Sequence, residues 1–253
     1  MRKLVLFDVD HTVVKGNLTG LICRRMFSWR DIGRLVSFVY RATSLVHGRF
    51  PQAVERALIH QDYCLVDQIV RKHVASCYHL LLDLLESCDV SLSDLSKQAH
   101  LFVSDELIIK RICYKKALDR ILMHAQDPEV DILFVSGGLQ VVLDPLVIMI
   151  RRYIEKKGLC KARLFGYGTR FLGDGDLDLC VGSYKVDRVN EHIKYEASGH
   201  AAIVSAYSDN RYYSDLPFLL LAEERFMVEG FDVYAKILPD EIQKSLTFCS
   251  RWK

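Results

Sequence analysis

The chain has 253 residues, of which half are apolar, and a net charge of only +2 at pH 7. A chain of this length can bury a substantial core, in one or two domains. The charge balance indicates no class of partner. No apolar run reaches the roughly 18 residues that a membrane-spanning helix needs, which excludes such a span.

The first predicted element is a short buried strand that ends in two carboxylates. Leu4–Phe7 is an apolar run too short for a helix, and Asp8 and Asp10 follow it. Residues i and i+2 of an extended backbone point the same way, so both carboxylates face one site. That site lies at the carboxyl end of the strand, where open parallel sheets bind ligands. Two close carboxylates repel each other unless a cation offsets them, which indicates a hard divalent metal.

A second apolar strand ends in a hydroxyl and two glycines. Asp131–Val135 runs into Ser136, Gly137 and Gly138, and an apolar helix is predicted from Leu139 to about Ile154. A tight turn between strand and helix would offer a phosphate the serine hydroxyl and the amides of the first helical turn. An ordinary strand-to-helix turn is the alternative, because glycine pairs are common in such turns.

Two later segments complete a set of four. Gly182–Val189 opens an amphipathic helix that carries Lys185, a residue type that usually lies on the surface. The apolar strand that begins at Ala202 ends in Asp209, and the segment Asp215–Phe218 follows shortly after it.

The chain divides into two patterns. From about Gly16 to Arg111 apolar residues recur every three or four positions, which predicts helices, and Ser91 begins a capping sequence there. From about Ile112 onward strands and helices alternate, which predicts a doubly wound parallel sheet. The segment Thr169–Leu179 predicts a β-hairpin with Asp-Gly at its turn; its acidic residues do not meet the EF-hand pattern. The other predicted strands are 132–135, 164–166, 202–206 and 226–228.

The four segments, in this order, resemble the motifs of the haloacid dehalogenase (HAD) superfamily of phosphohydrolases. More narrowly they resemble its phosphoserine-phosphatase-like branch, subfamily IB, over essentially the whole chain. The resemblance implies an α/β HAD-type fold, a doubly wound parallel sheet with a Rossmann-like core and an inserted helical cap. The core would comprise residues 1–15 and 112–253, and the cap residues 16–111.

The resemblance also implies three catalytic residues. Asp8 would be the nucleophile that attacks phosphorus and forms an aspartyl-phosphate. Asp10 would be the general acid for the leaving alkoxide and then the base that activates water. Lys185 would neutralise charge around Asp8 and the phosphoryl group.

A metal site and a phosphate site follow from the same resemblance. Mg²⁺ would be held by the Asp8 carboxylate, the Asp10 main-chain carbonyl and Asp209. Ser136 and the amide of Gly137 would hold phosphate oxygens. Thr12 would brace the first loop.

Three positions depart from the family pattern. His11 replaces a small residue and could narrow the entrance or contact substrate. Asn17 stands where phosphoserine phosphatases carry a glutamate that pairs with the substrate amino group, which argues against phosphoserine. The gap from Asp209 to Asp215 is longer than usual, so either Asp215 or Asn210 completes the last motif, and Asp215 is either a further metal ligand or an outer-shell acid.

The cysteines and the N-terminus favour a cytoplasmic protein. The eight cysteines include no Cys-x-x-Cys pair, and Cys77 with His73 and His79 forms no complete ligand set, so we expect reduced thiols that pack in the core. The predicted strand at the N-terminus leaves no room for a cleavable signal sequence.

The first part of the helical segment is basic and aromatic, which leaves two interpretations. Between Val14 and Phe50 the only acidic residue is Asp31. The region is either a solvated helix face or a surface that contacts a membrane or a lipid phosphate. No nucleic-acid-binding motif accompanies the charge, so nucleic acid is not expected. The basic residues are Lys15, Arg24, Arg25, Arg30, Arg34, Arg41 and Arg49.

The sequence therefore predicts a Mg²⁺-dependent phosphatase that acts on a small phosphorylated metabolite or a lipid-derived phosphate. The alternatives are a phosphotransferase that uses the same residues, and a non-catalytic phosphate-binding scaffold on the same fold. The oligomeric state and the substrate are left open.

Overall fold

The computed structural model describes residues 1–27, 31, 33–34, 36–38, 41, 49–104, 106–173, 175–209, 215–228 and 238–249. These residues form a seven-stranded sheet with the order β4-β3-β2-β1-β5-β6-β7. Every neighbouring pair is parallel except β3 and β4, which are antiparallel. The strands are β1 Arg2–Phe7, β2 Val130–Leu139, β3 Arg163–Gly173, β4 Asp176–Asp178, β5 Ala201–Ser208, β6 Glu224–Val228 and β7 Thr247–Cys249.

Helices fill the connections. In the described part of the segment between β1 and β2, six helices have defined bounds, residues 33–34, 36–38 and 41 are also helical, and no strand is found. The helices are α1 Leu18–Met26, α2 Arg49–Ile59, α3 Tyr63–Ser87, α4 Leu92–Val103, α5 Glu106–Ile112, α6 Lys115–His124, α7 Gln140–Glu155, α8 Ser183–Tyr195, α9 Leu216–Leu219 and α10 Asp240–Ser245.

The sheet is covered on both faces, which confirms the predicted doubly wound α/β fold. Val5 and Phe7 of β1 pack into a buried cluster with α4, α6 and α7, while Leu4 and Leu6 belong to a second cluster with α8 and α9. Successive strand residues point to opposite faces, so an unbroken apolar strand must be buried on both. The predicted division into core and cap stays a prediction; α4, within the range assigned to the cap, packs against α7.

The strand order reverses beside β1, and this reversal marks one position at the carboxyl edge of the sheet. The chain moves from β1 through β2 to β3 on one side and then crosses to β5 on the other side of β1. Ligands of open α/β sheets bind outside the carboxyl ends of the strands at such a reversal. Asp8, which follows β1, and Asp209, which follows β5, both lie there.

A row of stacked rings supports this edge from one face of the sheet. The Phe7 ring stacks on that of Tyr207 with centroids 4.6 Å apart, and Tyr207 stacks on Phe226 at the same distance. Phe134 lies 5.9 Å from Phe7 on the other side. Four adjacent strands thus contribute one ring each, and the rings of β2, β1 and β5 lie within two residues of Ser136, Asp8 and Asp209.

Two sequence predictions differ from the structure. The predicted tight turn at Ser136-Gly137-Gly138 is wrong, because β2 continues to Leu139 before α7 begins. The Gly137 carbonyl accepts hydrogen bonds from the hydroxyls of Thr169 and Tyr78, and these long-range contacts hold the glycines extended. The short edge strand β7 was not predicted. By contrast, the predicted hairpin is formed by β3 and β4, and Ser91 caps α4 in a capping box.

Two further features concern the chain as a whole. In the part of the chain that the structure describes, no helix is long and apolar enough to cross a membrane. All eight cysteines lie in the described ranges, and each is a free thiol.

A buried carboxylate binds the strands together at the opposite end of the sheet from Asp8. Asp131 of β2 is fully buried and accepts hydrogen bonds from Arg2, from Arg163 (2.6 and 2.9 Å) and from His192 Nε2 (3.1 Å). Burial alone would raise its pKa, but the bonds from His192, Arg163 and Arg2 together hold the pKa below its ordinary value. The carboxylate therefore links β1, β2, β3 and α8 in its ionised form.

We expect Asp131→Asn to lower the free energy of unfolding at pH 7 by about 2 kcal/mol, because hydrogen bonds to a buried charged group are lost. A carboxylate with a lowered folded-state pKa stabilises the fold above its unfolded pKa and stops doing so as the pH falls. The difference between variant and wild type should therefore shrink below about pH 4. Urea titrations across this range measure it, with the exposed Asp119→Asn as a control that leaves stability unchanged. An equal loss at pH 3 and pH 7 would contradict the explanation.

Candidate active site

Residues from three separate segments meet at the carboxyl edge of the sheet. Asp8, Asp209 and Asp215 are all buried, and each offers a carboxylate oxygen within 4.8 Å of the others. Asp215, predicted either as a further metal ligand or as an outer-shell acid, therefore lies in the same cluster as Asp8 and Asp209. Asn210, the alternative for that position, lies outside the described residues.

Lys185 lies inside this cluster rather than on the surface. It is only 2 % exposed, and its Nζ lies 2.7 Å from Asp8 Oδ1 and 2.7 Å from Asp215 Oδ1. Burial alone would lower the pKa of Lys185, but the carboxylates of Asp215 and Asp8 raise it above its ordinary value. The lysine is therefore a fixed cation between two acids.

The cluster has more negative than positive charge. Burial raises the pKa of Asp8 well above its ordinary value, and Asp215 and Asp209 add to that effect against the opposing influence of Lys185. One ammonium thus lies among three carboxylates. A site of buried carboxylate oxygens suits a hard divalent cation, which prefers oxygen ligands.

Short hydrogen bonds fix the carboxylates. The Thr12 hydroxyl accepts a bond from the Asp209 amide (2.8 Å) and donates one to Asp8 Oδ2 (3.1 Å), so it joins the ends of β1 and β5. The Ser208 hydroxyl donates to Asp215 Oδ2 at 2.6 Å. Thr12 thus occupies the bracing position expected for it.

Asp10 lies beside the cluster but is bonded elsewhere. Its Oδ1 accepts a bond from the Leu18 amide (2.8 Å), and its Oδ2 accepts one from Asn17 Nδ2 (2.9 Å). Asn17 is also the N-cap of α1 and accepts from the Gly20 amide. The start of α1 therefore sets the orientation of the Asp10 carboxyl group.

The predicted phosphate-binding segment faces the same edge. Ser136 is 2 % exposed, and its hydroxyl oxygen accepts a bond from the Gly138 amide at 2.9 Å. A Cβ on Gly138 would lie 3.1 Å from Ser136 Oγ, 3.7 Å from Asp10 Oδ2 and 3.8 Å from Thr19 Oγ1. The glycine therefore leaves room where three oxygens converge.

A cavity of about 460 Å³ lies above these groups, and α3 forms its roof. The helix is bonded to the sheet through the Tyr78 hydroxyl, which donates to the Gly137 carbonyl, and through His79, which contacts the Gly175 carbonyl at 3.2 Å. Near its start, Asp67 accepts bonds from the Ser183 amide (2.8 Å) and hydroxyl (2.9 Å) at the first residue of α8.

Three residues at the site were not predicted from the sequence: Tyr78, Asp67 and Thr19. Thr19 lines the cavity, and its buried hydroxyl has no hydrogen-bond partner among the described residues. Tyr78 and Asp67 contact residues 59 and 116 positions away, so local patterns contain no signal for them. A polar residue among apolar neighbours on one helix face could have indicated such a contact. Many core helices contain such a residue, so the signal is not specific.

His11 and Asn17, the predicted substrate contacts, both line the cavity. His11 has a φ of +61°, and its amide donates to the Gly16 carbonyl. The predicted basic surface is only partly described: Arg25 lies over the Phe102 ring at 4.5 Å, and Arg41 lies 3.8 Å from Asp83. Arg30 and the side chain of Arg49 lie outside the described residues, and contact with a lipid stays a prediction.

Gly182 joins the roof to the segment that carries Lys185. Its φ of +58° and ψ of −132° suit glycine, and a Cβ there would lie 1.9 Å from Asp67 Oδ1. We expect Gly182→Ala to destabilise the fold and to increase hydrogen exchange of the first amides of α8, because strain and displacement of Asp67 add together. Urea titration and hydrogen exchange measure these effects.

Gly158→Ala is the matched control, since Gly158 has a φ of +68° but no atom near its Cβ position. That variant should lose only about 1–2 kcal/mol from backbone strain. In Asp67→Ala the clash is absent, so adding Gly182→Ala there should cost less than in wild type. Strictly additive losses would contradict a clash between the two residues.

Comparisons with known proteins give no match in sequence. No family model and no curated protein matches the chain. Solved structures are similar over nearly its whole length. A substrate-bound phosphoserine phosphatase complex is 18% identical over 98% of this chain and 99% of that chain, with a TM-score of 0.47. A phospho-aspartyl intermediate analogue of phosphoserine phosphatase is 16% identical over 98% and 92%, with a TM-score of 0.45.

A HAD family hydrolase from Salmonella enterica subsp. enterica serovar Typhi is 12% identical over 92% of this chain and 65% of that chain, with a TM-score of 0.41. These identities and TM-scores are too low to support a function. A function is therefore inferred from the geometry of the carboxylate cluster. The chain is similar to structures from the family whose motifs its sequence resembles.

Proposed function

We propose that the protein is a Mg²⁺-dependent phosphomonoester hydrolase that acts through a phosphorylated Asp8. The observation that carries this proposal is the position of Lys185 between Asp8 and Asp215, with Asp209 completing the buried cluster at the strand ends. A buried nucleophile that is anionic needs such a cation before an anionic substrate can approach it.

The reaction then has two steps on the protein. In the first, an Asp8 oxygen attacks phosphorus, the bond from phosphorus to the ester oxygen breaks, and Asp10 donates its proton to the leaving alkoxide. In the second, Asp10 takes a proton from water, the water oxygen attacks phosphorus, and the bond to Asp8 breaks. Free phosphate leaves, and the Asp8 carboxylate is restored. The bonds from Leu18 and Asn17 fix the Asp10 carboxyl group, which lines the same cavity as Asp8.

The metal is proposed for the cluster of Asp8, Asp209 and Asp215, together with the Asp10 main-chain carbonyl. When bound, Mg²⁺ would offset negative charge on the carboxylates and on the phosphoryl oxygens. Ser136 and Gly137 are proposed to bind the phosphoryl oxygens from the opposite side. Asn17 lacks the charge that would pair with an amino group, which supports a substrate other than phosphoserine. The cytoplasmic location remains a prediction.

We expect phosphate release from a panel of phosphomonoesters to require Mg²⁺, to stop in EDTA and to fall by about 10³-fold or more in Asp8→Asn, which lacks the nucleophile. The control is Asp187→Asn, an exposed carboxylate on the same helix as Lys185, which should keep full activity. Release that survives in Asp8→Asn, or that is unaffected by EDTA, would contradict the proposed chemistry.

We also expect Mg²⁺ to stabilise the fold without any substrate, because it relieves the repulsion among three buried carboxylates. At a concentration of 100 times its dissociation constant the gain would be about 2.7 kcal/mol. Thermal unfolding with and without Mg²⁺ measures it. The gain should fall strongly in Asp209→Asn and stay unchanged in Asp119→Asn. Equal stabilisation of wild type and Asp209→Asn would place the metal elsewhere.

A further inference from the structure

The cavity above the carboxylate cluster has a charged floor and uncharged walls. Every Asp, Glu, Lys or Arg among its described lining residues belongs to the floor: these residues are Asp8, Asp10, Lys185, Asp209 and Asp215. The phosphoryl group and the reacting atoms would occupy the floor. The walls must therefore face the alcohol part of the ester.

One wall is a continuous apolar stripe of the roof helix. Val70, Val74, Cys77 and Leu81 follow one another at spacings of four, three and four residues, so they share one face of α3, and Tyr78 lies beside Cys77 on the cavity side. Burial raises the pKa of Cys77 and of Tyr78, so both are neutral near pH 7. This face has the composition of a core-packing surface, yet it borders a cavity.

The other described wall residues are also uncharged. Cys23, Phe38 and Phe50 line the cavity, and the Phe50 ring stacks on that of His73 of α3 with centroids 3.8 Å apart. Burial lowers the pKa of His73, so its imidazole is neutral at pH 7. The remaining polar groups near the floor are the hydroxyl of Thr19 and the side chains of His11 and Asn17.

We infer that the substrate is the phosphomonoester of an uncharged and mainly apolar alcohol, an inference that rests on the proposed function. An ammonium or carboxylate in the alcohol part would lose water inside the cavity and find no opposite charge on the described walls. An alkyl or aromatic group would instead pack against the wall side chains and bury their apolar surface. The volume lies in the range of small-molecule pockets.

The test compares esters that differ in charge but not in shape. Propyl phosphate and phosphoethanolamine have chains of the same length, ending in a methyl group and an ammonium. We expect kcat/KM for propyl phosphate to be higher by about tenfold or more, since the ammonium is unpaired in the cavity. From ethyl to hexyl phosphate, each methylene should add about fourfold until the cavity is filled.

A variant of the wall should change this preference. Val74→Asp places a carboxylate opposite the ammonium and should reduce the ratio of propyl phosphate to phosphoethanolamine by about tenfold. Gln68→Asp adds the same charge on the exposed side of α3 and should leave the ratio unchanged. If Val74→Asp does not fold, the chain-length series in wild type still decides the question.

Acetyl phosphate separates failure of this inference from failure of the proposed function. Its acetyl group is too small to depend on contacts with the wall side chains. Its hydrolysis therefore tests only the residues of the floor. If wild type cleaves acetyl phosphate but prefers phosphoethanolamine or phosphoserine to the alkyl esters, the inference is overturned and the phosphatase chemistry stands. If neither acetyl phosphate nor any of the esters is cleaved, both fall. A gain that ends near hexyl phosphate supports a small apolar alcohol, and one that continues to dodecyl phosphate supports a lipid.

Discussion

The structure depends on one buried ammonium. Lys185 connects Asp8, at the end of β1, with Asp215, at the start of α9, and without it three carboxylates would be buried together. Burying three carboxylates costs free energy unless a cation lies beside them. That cation is Lys185, which lies only two residues after the start of its helix, α8. The hydrogen bonds of Asp67 and the backbone of Gly182 at that helix start are therefore part of the same electrostatic arrangement.

The sheet provides the rigidity that this arrangement needs. Ser136, Asp8 and Asp209 each lie within two residues of a strand ring in the stacked row from Phe134 through Phe7 and Tyr207 to Phe226. Rings in contact across four strands limit how far any strand can slide. At the other end of the same strands, Asp131 ties β1 to β2 and β3. The carboxylates are thus placed by strands that are held at both ends.

The sequence was most informative where the relevant pattern is local. Strand ends followed by Asp8 and Asp209, the capping sequence at Ser91 and the Asp-Gly hairpin all depend on a few consecutive residues, and each was predicted. The prediction was wrong where distant contacts decide the backbone, as at Gly137, whose carbonyl is held by Tyr78 and Thr169. The short strand β7 has too few residues for a pattern. Lys185 was predicted as a site residue only through the resemblance, because its burial follows from two carboxylates far away in the chain.

The floor and the walls of the cavity come from different parts of the chain. This separation has a consequence for evolution. The floor consists of strand ends, their loops and Lys185 of α8, whereas the roof stripe lies on a helix of the segment between β1 and β2. If the proposed function holds, substitutions at positions such as 70, 74 or 81 would change the alcohol that is accepted and leave the residues of the phosphate chemistry unchanged. Tyr78 is the exception, since it lines the wall and also bonds to Gly137 in the floor. A lineage that changes its substrate should vary the stripe around this tyrosine and keep the tyrosine itself.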